Sequence, residues 1–111
     1  MQSKILIDME NICRLREIAE TYHQSGQIEK SEKYHEIIIE ICNKYPKNEQ
    51  MMTLKMLSLI YLKKEYKSLE ITNEILHLNP SNAYALSNIV NYLMKNKKEE
   101  MNNYITATNK L

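Results

Sequence analysis

Five side chains in this sequence are of the types from which metal centres and nucleophile–base pairs are built: Cys13, His23, His35, Cys42 and His77. A zinc site assembled from the first four would lack the closely spaced ligand pairs that such sites use. The two cysteines form no CxxC pattern and read as reduced, buried thiols. His35 reads as a partly buried, hydrogen-bonded histidine, and His23 and His77 as solvated ones. Glu17 with Glu20, and Glu99 with Glu100, offer paired carboxylates, but at spacings that place them on solvated helix faces. The sequence holds no glycine-rich phosphate loop, nucleophile elbow or HExxH pair. It therefore points away from an enzyme and predicts no catalytic residue, no metal and no cofactor.

The elements that carry these residues are helices. The chain has 111 residues with one Gly, two Pro, no Trp and no Phe. Strands need frequent turn punctuation, and this chain has almost none, so an all-α fold is expected. The length suits one domain with one modest core. A net charge of +1, with acids and bases interspersed, supplies no basic stripe for phosphates and argues against nucleic acid. The early apolar run Ile5-Leu6-Ile7 is too short for a signal-peptide core or a membrane span. A cytoplasmic protein without membrane contact is the expectation.

Helical periodicity divides the chain into six helices. The first starts between Ser3 and Asp8, with Asp8 able to cap a shorter version, and Ser25-Gly26 stops it near Gln24. The second spans about 28–43. The third spans about 49–62 and is apolar nearly all round, which places it in the middle with its methionines in the core. The fourth follows Lys63-Lys64-Glu65 and ends near Leu78, because Pro80 disfavours the α conformation in the residue before it. The fifth is expected to run to about Lys95 with Leu86, Ile89, Val90 and Leu93 inward. After a turn at Asn96-Lys97-Lys98, a sixth carries Met101, Tyr104, Ile105, Thr108 and Leu111. Pro46 and Pro80 each close an apolar run and lie 34 residues apart, a period characteristic of helix–turn–helix repeats.

This pattern resembles the tetratricopeptide-repeat family. The spacing of the family's first helix is filled by Leu15, Ile18-Ala19 and Tyr22, then by Thr53, Met56-Leu57 and Ile60, and again by Leu86, Ile89-Val90 and Leu93. Ser31 and Ser68 match the small residue of its second helix, and Pro46 and Pro80 its closing proline. Gly26 has no glycine counterpart in the later turns, where Lys64 and Lys97 sit, and the third unit has no closing proline. The resemblance implies three antiparallel helix pairs stacked as a short right-handed α-solenoid, one domain over 1–111. The repeats would span about 10–48, 49–82 and 83–111.

The family's first helices line a concave groove that takes peptides. Carried over through the same spacing, the resemblance implies groove residues Arg16, Glu20, His23 and Gln24 in the first unit. In the second it implies Lys55, Ser58 and Tyr61, and in the third Tyr84, Ser87, Asn88, Asn91 and Lys95. The family subtype that clamps chaperone tails with basic residues is not matched, since Tyr84 and Asn88 stand at those places. The expected function is that of an adaptor or scaffold binding a protein or peptide partner. A self-assembling module is the alternative: no capping helix follows the last pair, so Met101, Tyr104 and Ile105 would face solvent or a second chain.

Overall fold

Ser3 opens the first helix, its Oγ accepting from the Leu6 backbone N–H at 3.4 Å. Ile5 to Met9 therefore belong to α1 (Lys4–Gln24). Asp8 caps nothing: it is buried within α1 and accepts a 2.5 Å hydrogen bond from the Tyr45 hydroxyl. The other helices are α2 (Ile28–Cys42), α3 (Glu49–Tyr61), α4 (Glu65–Leu78) and α5 (Ala83–Asn109). This computed structural model describes residues 3–109, with side chains described for 3–103. Among the described residues there is no strand, and each helix packs against the next in sequence.

The turns repeat. At the end of α1, Gly26 takes φ 81°, its N–H bonding to the His23 carbonyl and that of Gln27 to the Tyr22 carbonyl. At the end of α3, Lys63 takes φ 60°, its N–H bonding to Ile60 and that of Lys64 to Leu59. Both are the paired bonds of a Schellman motif, which recovers orphan carbonyls at a helix end. The counterpart of Gly26 is thus Lys63, one residue earlier than the sequence suggests. A side chain in the left-handed region costs roughly 1–2 kcal/mol, and glycine escapes that cost. Lys63→Gly should raise the stability in urea titration by about 1 kcal/mol. An unchanged midpoint would mean that the lysine side chain offsets its own strain.

The second kind of turn repeats too. Asn48 Oδ1 accepts from Met51 N at 3.0 Å and Asn82 Oδ1 from Ala85 N at 2.9 Å, capping α3 and α5. Each cap follows a proline turn. The residue before each proline reaches back to a carboxylate on the preceding odd-numbered helix: Tyr45 to Asp8 on α1, and Asn79 to Glu49 on α3.

Two clusters form the core. Ile12 of α1, Ile38 and Cys42 of α2 and Met51 of α3 make one. Met52, Met56 and Leu59 of α3, Ile71 and Ile75 of α4 and Ala85 of α5 make the other. Helix α3 contributes to both, which explains its all-round apolar sequence. The wide apolar stripe of α2 has the same cause, with Ile38 in one cluster and Ile39 against the other. The molecule measures 70 × 37 × 17 Å with a radius of gyration of 17.3 Å, against about 13 Å for a compact domain of this length.

Two expectations fail at the C-terminal end. The turn at Asn96-Lys97-Lys98 is absent: α5 runs through it, so the described residues form five helices and not six. Lysine is a good helix former, and neither glycine nor proline interrupts the stretch. Leu86, Val90 and Leu93, expected inward, are exposed. The face of α5 turned to α4 carries buried Ala85 and half-buried Asn88 and Tyr92 instead. Met101, expected to face solvent or a second chain, is exposed. Tyr104, Ile105 and Thr108, expected on a sixth helix, have no described side chain, and Leu111 lies outside the described residues.

Candidate partner groove

Residues on one face of α1 recur at three- and four-residue intervals: Met9, Cys13, Arg16, Glu17 and Glu20. Opposite them α3 presents Gln50, Leu54, Leu57, Ser58 and Tyr61 at the same kind of spacing. Between the two faces lie two hollows. The first, of about 750 Å³, is lined by Cys13, Arg16, Glu17, Glu20 and Thr21 of α1, His35 of α2, and Leu57, Ser58 and Tyr61 of α3. The second, of about 400 Å³, is lined by Met9, Cys13 and Arg16, by α3 residues from Glu49 to Leu57, and by Asn82 and Tyr84 at the start of α5. Cys13, Arg16 and Leu57 border both hollows, so the two adjoin between α1 and α3, with Tyr61 lining the first and Tyr84 the second.

The Tyr61 end is organised by rings. Tyr61 stacks on His35 with centroids 4.1 Å apart and planes 24° apart, and meets His23 edge-on at 5.3 Å. Its hydroxyl shares a 2.7 Å hydrogen bond with His23 Nδ1. His35 Nδ1 shares a 3.0 Å bond with Ser58 Oγ. Burial pushes the His35 pKa below its usual value, and Arg16 and His23 push the same way while Glu20 opposes them. A neutral His35 is what this environment favours, and a neutral ring leaves the stacked, hydrogen-bonded arrangement free of a buried charge.

Of the residues implied for a groove, the structure brings together Arg16, Glu20, Ser58, Tyr61 and Tyr84, with His23 joined through Tyr61. Ser58 is buried and its hydroxyl is engaged with His35. Gln24 is exposed and donates to Glu20 at 3.2 Å, one turn beyond the groove wall. Lys55 lines neither hollow. It is half-buried and acts on the Cys42 thiol, which burial nevertheless pushes up to about 11.

The third-unit set divides: Tyr84 borders the α1–α3 hollows, while three of the others gather in a hollow between α4 and α5. Ser87 is exposed and lines neither hollow. Asn88 donates to Thr72 Oγ1 at 2.9 Å and ties α5 to α4. Asn88, Asn91 and Lys95 together line a separate hollow of about 390 Å³, with Ser68, Leu69 and Tyr92. Lys95 also pairs with Glu65 at 3.5 Å.

Much of the groove lining escaped the sequence reading, Cys13, Leu57 and His35 among it. Cys13 and Leu57 sit three and four residues before Arg16 and Tyr61 on the same faces, so helical spacing alone could have found them. Cys13 is exposed, not buried as expected. His35 comes from α2, and no local signal marks it. His23 is exposed but paired with Tyr61, where simple solvation was expected, and His77 Nδ1 bonds the Asn73 carbonyl at 2.8 Å.

Among the described residues no group of three or more His, Cys, Asp and Glu side chains is placed to hold a metal ion, and no helix is long and apolar enough to cross a membrane. Neither a protein-family model, nor a curated protein, nor a solved structure matches the chain.

Proposed function

We propose that this chain is a protein–protein interaction module of tetratricopeptide-like build, an adaptor or scaffold that holds a partner segment in the groove between α1 and α3. The observation that carries the reading is the pair of adjoining hollows along α1 and α3, which share Cys13, Arg16 and Leu57 and hold one tyrosine each. Tyrosine supplies contact area at low entropic cost. Leu57, Leu54 and Met9 offer apolar surface, and Arg16 can bind a carboxylate or a peptide carbonyl. Stacked helical repeats over 10–48, 49–82 and 83–111 are supported by the recurring turns at Gly26 and Lys63 and the recurring asparagine caps. Each unit leaves an apolar face that its neighbour covers. The departure lies in the third unit, where α5 replaces a helix pair.

Cys13 makes the test direct. It is exposed in the groove, whereas Cys42 is buried with its thiol pushed up to about 11. A thiol-linked photo-crosslinker therefore attaches selectively at Cys13. The labelled chain is exposed to lysate of the source organism beside an Arg16→Ala, Tyr84→Ala variant that circular dichroism shows to be folded. A protein crosslinked from Cys13 in the first and lost in the second establishes the groove as the site. Capture equal in both, without crosslinking, moves the interaction to another surface and defeats the proposal.

A further inference from the structure

Among the described residues of α5, the face turned to α4 is covered and an apolar face beside it is not. Ala85 is buried against α3 and α4. Leu86, Val90 and Leu93 on the other side are 44%, 50% and 58% exposed. The shared asparagine caps set α5 and α3 in one register, 34 residues apart. In that register the three residues correspond to Met52, Met56 and Leu59, which are 4%, 1% and 4% exposed. On α3 this face is covered by α4, which turns back at Lys63 and packs Ile71 and Ile75 on it.

The sequence that turns back is KKEYKSLEIT at 63–72, and it returns at the same 34-residue interval as KKEEMNNYIT at 97–106. The first copy makes a helix hairpin. The second runs straight through α5. Where Ile71 anchors the first hairpin, Ile105 stands in the second, but Ile75 is replaced by Asn109. Less apolar surface is therefore available to hold Lys97 in the left-handed conformation that Lys63 accepts. In the straight helix, residue 105 lies roughly 22 Å along the axis from Val90, out of reach of its own face.

We infer that two copies of the chain pair through α5, antiparallel about a two-fold axis near Lys97 and Lys98, so that residues 99–109 of each cover Leu86, Val90 and Leu93 of the other. The exchange makes the contacts of the α3–α4 hairpin without a left-handed residue. It is also isologous and closed, as a reciprocal exchange of one element must be.

Light scattering on the full chain tests this. The wild type is expected at twice 13.2 kDa, and Leu86→Asp with Leu93→Asp is expected to be a monomer with unchanged circular dichroism. Geometry is read with Val90→Cys and Ile105→Cys together in a Cys13→Ser chain, which should oxidise to a covalent dimer. Adding Lys97→Gly removes the strain from the hairpin turn, so the same cysteines should then close within one chain, giving a covalent monomer. Lys97→Ala should leave the covalent dimer in place. A wild type that stays monomeric across the concentration series overturns the inference, as does a dimer indifferent to the aspartates. So does oxidation within one chain before Lys97 is changed.

Discussion

Replacing Ile75 with alanine should destabilise the chain by about 2–5 kcal/mol, the range for truncating a fully buried isoleucine to alanine. Ile75 is wholly inaccessible and sits where three helices meet, among Met52, Met56 and Leu59 of α3, Ile71 of α4 and Ala85 of α5. Methionine side chains could relax into some of the space, which favours the lower part of the range. Domains of this size are stable by about 5–15 kcal/mol, so the loss is a large share of the whole. At about 4–8 °C per kcal/mol, thermal midpoints should fall by about 8 °C or more. Ile37→Ala is the control: Ile37 is substantially exposed on α2, and its loss should cost less than about 1 kcal/mol. Equal costs at the two positions would mean that the α3–α4–α5 junction is not the core it is described to be.

Asn82→Ala should have the next largest effect. One side chain caps α5 through Ala85 N, donates to Glu49 Oε2 at 2.8 Å, and lies 3.2 Å from Thr53 Oγ1. Losing the cap alone costs about 0.5–2 kcal/mol, and a buried cap with further partners belongs at the upper end. The same substitution should change the pH dependence of stability. Hydrogen bonds from Asn79 and then Asn82 hold the Glu49 carboxyl below its usual pKa of 4.5, against a smaller opposing contribution from burial. A carboxylate favoured in the fold contributes stability that is present above its unfolded pKa and is lost as pH falls through the folded one. Wild-type stability should therefore drop as the pH falls below about 4.5, and Asn82→Ala should flatten part of that drop. Urea titrations at a series of pH values read both quantities. An unaltered acid limb in the variant would show that Asn79 alone sustains Glu49.

Much of this architecture is legible in residues close together along the chain. Gly26, Pro46, Pro80 and the periodicity between them set α1 to α4 within a residue or two, because helix ends are decided by caps and turns within about four positions. The central place of α3 was legible for a related reason, since a helix apolar on every side has to be enclosed. Periodicity also puts Arg16 and Glu20 on one face of α1; that Tyr61 of α3 lies across from them was implied by the family resemblance, not by spacing within a helix.

What tertiary structure decided are the matters that depend on a neighbour. Lys63 accepts a left-handed backbone because Ile71 and Ile75, eight and twelve residues later, pack on α3. Lys97 opens the same kind of sequence and stays helical. A turn exists only where the packing beyond it outweighs the strain within it, and that balance is not written in the turn. The face of α5 that is buried was likewise chosen by α4, through Ala85 and the Asn88–Thr72 bond, against the apolar stripe of Leu86, Val90 and Leu93. His35 entered the groove by stacking on a tyrosine 26 residues away. Local spacing determined α1 to α4; long-range contact determined where the chain turns beyond them and which faces meet, because burial is a property of pairs of surfaces and a sequence window sees only one of them.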